Sequence, residues 1–253
     1  IRKLPNDEFE ELWKRIVLPE NTKTQLQAQV LLELTLRTQI KSKAAVPLHG
    51  IILLVGPPGT GKTSIAKGVA SAAVSKLNNA KVTFIEVEPH NLSSSALGKS
   101  QREIIRFLEE VVTEHAGKGP LIVLLDEVET LVADRSKMSM EANPVDVHRA
   151  TDAMLAGLDN LAARFPQLLF IATSNFEGAL DPAFISRADL VLRIDKPSRE
   201  ACEEILKDTL TAFSEKWTAV KKLISDSKFQ KVVDEAEGLD GRQIRKAVIG
   251  ALT

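Results

Sequence analysis

A chain of 253 residues has room for one large or two modest domains around a real hydrophobic core. Hydrophobic residues make up 44% and charged residues 26%, which excludes a disordered or fibrous protein. Basic and acidic residues nearly cancel, 33 against 34, for a formal charge of −1, which argues against a broad nucleic-acid or anionic-membrane surface. The single cysteine, Cys202, supplies neither an internal disulfide nor a multi-cysteine zinc site and reads as a half-buried small apolar residue. No apolar run approaches the ~18 residues of a transmembrane helix. The opening residues, Ile1 to Pro5, lack the apolar stretch of a secretory signal. A soluble cytoplasmic protein is expected, nuclear and cytoplasmic in a eukaryotic setting. The absence of an initiating Met leads to the further expectation that some N-terminal chain has been removed or is not shown.

In chain order, the first fifty residues read as helical. Asn6 caps a helix whose apolar positions Phe9, Leu12, Trp13 and Ile16 recur at helical spacing. Pro19 interrupts it, and a second amphipathic run passes through Leu26, Val30, Leu34 and Thr38. From Ile51 the pattern changes. Short apolar runs at 51–55, 82–87, 121–125, 168–173 and 190–194 are of the kind found in parallel sheets covered on both faces. Helical signals lie between them. Ser100 with Glu103 forms a capping box before Ile104, Leu108, Val111 and His115. Asn143-Pro144 opens a helix bearing Val147, Met154, Leu158 and Leu161. After Pro197 only helical patterns remain: Ile205, Leu206, Leu210 and Phe213; then Phe229, Val232, Val233 and Ala236; then Ile244, Val248 and Leu252. The expected domains are an N-terminal helical segment (1–49), an α/β domain (50–196) and a small helical domain (197–253).

The strongest motif is Gly56-Pro57-Pro58-Gly59-Thr60-Gly61-Lys62-Thr63, followed by Ser64. It matches GxxxxGK[ST] and lies between a strand and a helical run, the context that a phosphate-binding loop requires. Glycines let backbone N–H groups turn toward phosphates, and the helix N-terminus adds partial positive charge. Lys62 reaches the terminal phosphates, and the Thr63 hydroxyl is placed to ligate Mg²⁺. The run 121–125 delivers Asp126, the expected partner of the Mg²⁺ shell, and Glu127, the expected base that polarises water. The plain alternative for both is an acidic helix start. Thr173-Ser174-Asn175 ends the fourth apolar run; Asn175 is a candidate for orienting the lytic water, against a reading as ordinary turn chemistry.

These pieces in this order resemble the AAA+ ATPases: Walker A, Walker B as "LIVLLDEVE", sensor 1 as "IATSN" and a helical lid. "LPNDEFEELW", "NPVDVHRATDAML", "FISRADL" and "GLDGRQIRK" narrow the resemblance to the pachytene-checkpoint (thyroid-receptor-interacting) family, which remodels HORMA-domain proteins. It implies an α/β fold with a five-stranded parallel sheet sandwiched by helices, plus a small helical lid whose C-terminus is expected to be incomplete. It also implies a homo-hexamer with ATP and Mg²⁺ at the subunit interfaces. Arg187 in "FISRADL" matches the finger that reaches a neighbour's γ-phosphate, and Arg242 matches sensor 2. Val17 and Leu18 match the segment that flanks adenine. Arg245 and Lys246 are left as surface charge.

The pore loop of such a ring falls at Ser95, Ala96 and Leu97, where relatives carry bulky aromatics. The sequence begins where the ATPase module of such a protein would, and the expectation stays open between an N-terminal adaptor-binding domain that has been removed and one that was never present. The resemblance implies two settings: eukaryotic meiotic and mitotic checkpoints, and bacterial antiphage defence, where the HORMA protein links the ring to a cyclic-nucleotide synthase. The expected activity is ATP hydrolysis that pulls on a terminal segment of a HORMA protein and converts it from closed to open. A ring that sequesters its partner, or another AAA+ unfoldase, is the alternative. DNA loading is disfavoured by the balanced charge and the lack of a basic, aromatic-interleaved segment, and no membrane partner is expected. His49, His90, His115 and His148 show no metal-ligand spacing, and Met138 and Met140 with Arg135 and Lys137 read as an ordinary loop, with a second pore loop as the alternative.

Overall fold

The computed structural model describes residues 1–39, 48–78, 80–87, 99–134, 144–214 and 216–252. The expected apolar runs pair into one sheet. β2 (Ile51–Val55), β3 (Val82–Val87), β4 (Leu121–Leu125), β5 (Leu168–Ser174) and β6 (Leu190–Arg193) each run parallel to their neighbours. β1 (Arg2–Leu4) adds a short antiparallel edge beside β3, giving the order β1-β3-β4-β5-β2-β6. The sheet is therefore mixed and six-stranded, and the chain's first residues are strand rather than helix. Three residues stopped by Pro5 carry too little alternation to be read as a strand.

Every residue of β2 and β4 is buried because both faces of the sheet are covered. Ile52, Leu54, Ile122 and Leu124 face a cluster closed by α1 (Asp7–Arg15), α2 (Glu20–Gln39) and α3 (Lys62–Val74). Ile51, Leu53, Val55, Leu121, Val123 and Leu125 face the other way. That second cluster is closed by α4 (Lys99–Arg106), a π-helical segment (Phe107–Val112), α5 (Thr113–Lys118), α6 (Pro144–Arg164) and α7 (Pro182–Ile185). The π segment interrupts what the sequence reads as one α-helix. At its end the hydroxyl of Thr113, the first residue of α5, donates to the Leu108 carbonyl five residues back, at 3.0 Å. Asn6 caps α1 as expected, its side chain accepting from the Phe9 N–H at 3.2 Å.

Beyond β6 the described residues contain no strand. α8 (Arg199–Ser214), α9 (Lys221–Ile224), α10 (Phe229–Glu235) and α11 (Gly241–Leu252) enclose a third, separate cluster around Cys202, Leu206, Val233 and Ile244. Cys202 is wholly rather than half buried, and burial raises its thiol pKa. Val232, read as part of a core stripe, is instead exposed, because Phe229, Val233 and Ala236 already fill the inner face of α10. α11 begins with a reciprocal cap: the Gln243 N–H donates to the Asp240 carboxylate and the Asp240 N–H to the Gln243 side-chain oxygen, both at 2.9 Å. Ser95, Ala96, Leu97, His90, Arg135, Lys137, Met138, Met140 and Asn143 lie outside the described residues.

On α2, Glu33 is fully buried, with Gln29 donating to it at 2.7 Å and the Arg37 guanidinium 3.9 Å away. Burial, reinforced by the charge of Asp189, pushes its carboxyl up to about 7 from 4.5. The folded chain then keeps a proton that the unfolded chain releases, so Glu33's contribution to stability falls as pH rises from 4.5 toward 7. Glu33→Gln removes this penalty. Denaturant unfolding should show the substitution more favourable at pH 8 than at pH 5, and an identical effect at both would contradict the assignment.

Candidate functional site

The loop leaving β2 is built around close approaches that only glycine permits. At Gly56, with φ +155°, a Cβ would sit 2.0 Å from the Ile194 carbonyl oxygen. At Gly59, with φ +83°, it would sit 2.4 Å from the Asp240 carboxylate. Gly61 precedes α3 in a left-handed conformation, and no side chain caps the helix. The first amides of α3 are therefore left to an outside acceptor, which the helix dipole prefers to be an anion.

Lys62 is 6% exposed, and its ammonium donates to the carbonyls of Gly56 and Pro57, both at 2.8 Å. Burial lowers its pKa, while Glu129, Asp126 and Glu127 oppose the shift. Parallel β4 and β5 end side by side at this edge. The Asp126 carboxylate accepts from the Thr63 hydroxyl at 2.8 Å and from the Thr173 hydroxyl at 2.6 Å. Thr173 in turn accepts the Glu127 N–H at 3.0 Å. Glu127 is the one described non-glycine residue with positive φ (56°), a conformation that costs about 1–3 kcal/mol and is concentrated at functional sites. Its side chain accepts from the Asn175 amide at 3.2 Å. The structure thus brings Lys62, Thr63, Asp126, Glu127 and Asn175 together.

Two residues in this cluster escaped the sequence reading. Thr173 is the hinge of the Asp126–Glu127 contacts, and its only signal is a hydroxyl at the end of an apolar strand. Glu129, two positions past Glu127, accepts the Asn175 N–H at 3.1 Å. Its other oxygen is buried with no hydrogen-bond partner among the described residues. The acidic alternation at 127 and 129 was the available signal.

The loop separates two depressions. The first half of the motif, Gly56, Pro57 and Pro58, borders a depression of about 1050 Å³ that also holds Asn175 and the exposed Phe176. The second half, Gly59, Thr60, Gly61 and Ser64, borders a cleft of about 330 Å³ whose far wall is Arg242 and its neighbours on α11. Val17 lines this cleft, but Leu18 packs into the cluster under α1–α3 instead. Arg15 and Ile16 line it as well. So do Arg245 and Lys246, read from sequence as surface charge: helical spacing from Arg242 brings them onto the same face.

Arg187 lies elsewhere. It follows α7 and precedes β6, where the Asp189 N–H donates to the Ile51 carbonyl at the start of β2. The phosphate loop leaves the other end of β2. Five residues of strand, roughly 15 Å, separate the two, so Arg187 does not join its own chain's loop.

The donor set fits a magnesium–triphosphate. Thr63 and Asp126 offer hard oxygens 2.8 Å apart beside an uncapped helix N-terminus and a buried lysine. Among the described residues no cluster of three or more His, Cys, Asp or Glu is placed to hold a metal. The Asp126–Thr173–Glu127 contacts make a stability prediction. Thr173→Val keeps the strand's shape but leaves the Glu127 N–H without its acceptor, and unfolding by denaturant should show a loss of about 1–3 kcal/mol. An unchanged stability would show the hydroxyl to be dispensable.

The profile of the ATPase family associated with various cellular activities (AAA) matches residues 52–196. CD-NTase-associated protein 6 of Pseudomonas aeruginosa is 51% identical over 99% of this chain and 82% of its own length. The pachytene checkpoint protein 2 homolog of Arabidopsis thaliana is 32% identical over 95% of this chain but only 49% of its own length. Among solved structures, that of C. elegans PCH-2 superposes with a TM-score of 0.77 at 27% identity, over 96% of this chain and 65% of that one. The E. coli HORMA:CdnC:Trip13 complex contains a chain that shares the fold, with a TM-score of 0.71 at 22% identity, over 88% of this chain and 78% of that one. The chain belongs to the AAA family of ATPases, in the group that includes CD-NTase-associated protein 6 and the pachytene checkpoint proteins.

Proposed function

We propose that this chain is a magnesium-dependent ATPase that works as a homo-hexameric ring and opens a closed HORMA-domain protein by pulling on a terminal segment. The observation that carries the reading is the polarity of the site. Lys62, Thr63, Asp126, Glu127 and Asn175 gather at the carboxyl ends of the strands, whereas Arg187 stands at the amino ends. An arginine so placed serves a triphosphate only on a neighbouring copy, as a ring requires. The HORMA partner and the link to a cyclic-nucleotide synthase are supported by the names of relatives, one a CD-NTase-associated protein and one a complex of HORMA, CdnC and Trip13.

In this reading the loop amides and Lys62 bind and orient the triphosphate, and Thr63 with Asp126 hold Mg²⁺, which neutralises charge on the phosphate oxygens. Asn175 keeps the Glu127 carboxylate facing the γ-phosphate, where it takes the proton of the attacking water. Residues 197–253 act as the lid: Asp240 packs against Gly59 and Arg242 faces Gly59–Gly61 across the cleft, so a change at the phosphates is felt by the lid. Residues 1–49 bring Val17 to the nucleotide as a linker to the 50–196 domain.

A second reading, a ring that sequesters without threading, is favoured by the small side chains Ala96 and Leu97 at the pore-loop position. Leu97→Asp separates the two, since conversion of the HORMA protein that survives it excludes threading. The primary test is Glu127→Gln, which should retain ATP binding and assembly while phosphate release falls about 10²–10⁴-fold. The same variant with ATP should hold the HORMA protein in a pull-down. Undiminished phosphate release would remove Glu127 from its role.

A further inference from the structure

The amino edge of the sheet carries a second charged cluster, centred on Arg187. Its guanidinium makes a two-point contact with Asp159 of α6, Nε to Oδ1 and Nη2 to Oδ2, both at 2.8 Å. A third bond runs from Nη1 to the Ala183 carbonyl at 2.7 Å. His49 lies 3.9 Å from the same Asp159 oxygen. The pairing holds the Asp159 carboxyl below the usual carboxylate range and raises Arg187 further.

The backbone beneath is fixed as firmly. Asp189 accepts the N–H groups of His49, Gly50 and Ile51 at 3.0, 2.5 and 3.0 Å. The Arg187 and Ala188 amides donate to Phe184 and Ile185, both at 3.1 Å. The turn carrying Arg187 is therefore stapled to the start of β2 by one aspartate, and its side chain is clamped by another.

Of the five guanidinium N–H groups, these contacts use three, and the two that remain lie on Nη1 and Nη2 at the tip of the fork. The side chain of Arg187 is still 24% exposed. Clamped along its Nε–Nη2 edge and still partly exposed, the arginine keeps donors on Nη1 and Nη2 for an anion without having to be ordered when one arrives. Pre-ordering a long side chain avoids the entropy cost of fixing it when the anion binds.

We propose that Asp159 is a positioning residue for ATP hydrolysis, aiming Arg187 at the γ-phosphate bound by the neighbouring copy. The inference rests on the trans role proposed for Arg187 above. Asp159 stands at the amino edge with Arg187, away from its own chain's phosphate loop, and acts through Arg187. A salt bridge serving stability alone would be indifferent to which donors it leaves free.

The test is steady-state ATP hydrolysis by the assembled full chain carrying Asp159→Asn, Asp159→Glu, Arg187→Ala or Asp159→Asn with Arg187→Ala. Asp159→Asn should lower kcat at least about tenfold with KM for ATP nearly unchanged, because binding does not use the finger while the transition state does. Asp159→Glu should recover part of that loss, and the double variant should turn over no more slowly than Arg187→Ala alone. If Arg187→Ala stops turnover while Asp159→Asn runs at the parental rate, the positioning role is wrong and the trans finger stands. If Arg187→Ala itself hydrolyses ATP normally, the trans finger is wrong and the inference falls with it. Should Asp159→Asn fail to fold, Asp159→Ser, which also removes the carboxylate, alone and with Arg187→Ala decides by the same two comparisons: normal turnover or additive losses overturn the proposal.

Discussion

The parallel direction of β2 to β6 is the constraint from which the rest follows. When five strands run the same way, everything that leaves their carboxyl ends meets at one edge and everything that enters meets at the other. The phosphate loop, Asp126-Glu127 and Asn175 are thereby neighbours although they are separated by scores of residues in the chain. The Asp126 carboxylate, bonded to hydroxyls from the helix after β2 and from the end of β5, ties three elements at this edge. The same constraint sends Arg187 to the opposite edge, beside the start of β2.

Each edge is braced by carboxylates bonded to neighbouring backbone or hydroxyls. At the carboxyl edge Glu129 holds the Asn175 N–H while Asn175 holds Glu127. At the amino edge Asp189 gathers three consecutive amides and Asp159 grips Arg187. Carboxylates suit this work because one group accepts several hydrogen bonds, and charged acceptors make them shorter and stronger. The helical unit after β6 joins the carboxyl edge through Asp240 against Gly59 and through the cleft shared with Arg242, so the phosphate loop is touched from both sides.

Much of this was legible in the sequence, for identifiable reasons. β2 and β4 announce themselves because strands covered on both faces are apolar at every position, β3, β5 and β6 because they are mostly apolar, and the phosphate loop because glycine, lysine and threonine must fall at fixed spacing. β1 was hidden: three residues on a sheet edge need no periodic pattern. The π segment was hidden because Ile104, Leu108, Val111 and His115 fit an α-helix as well, and one shifted hydrogen-bonding turn leaves no compositional mark. Thr173, Glu129 and Asp159 were missed for a common reason. Their importance is a contact with a residue 28 to 47 positions away, which no local spacing encodes. Leu18, assigned to the nucleotide by analogy of position, packs partly buried against the cluster under α1.

The central claim is that two copies of the chain jointly complete each hydrolytic site. Mixing Lys62→Ala chains with Arg187→Ala chains tests it directly, because each alone lacks one half of every site, whereas a mixed ring contains some interfaces with an intact lysine facing an intact arginine. The account predicts that neither variant alone releases phosphate and that the mixture does so at a measurable fraction of the parental rate. A mixture that co-assembles yet stays silent, or an Arg187→Ala chain that hydrolyses ATP by itself, would contradict it.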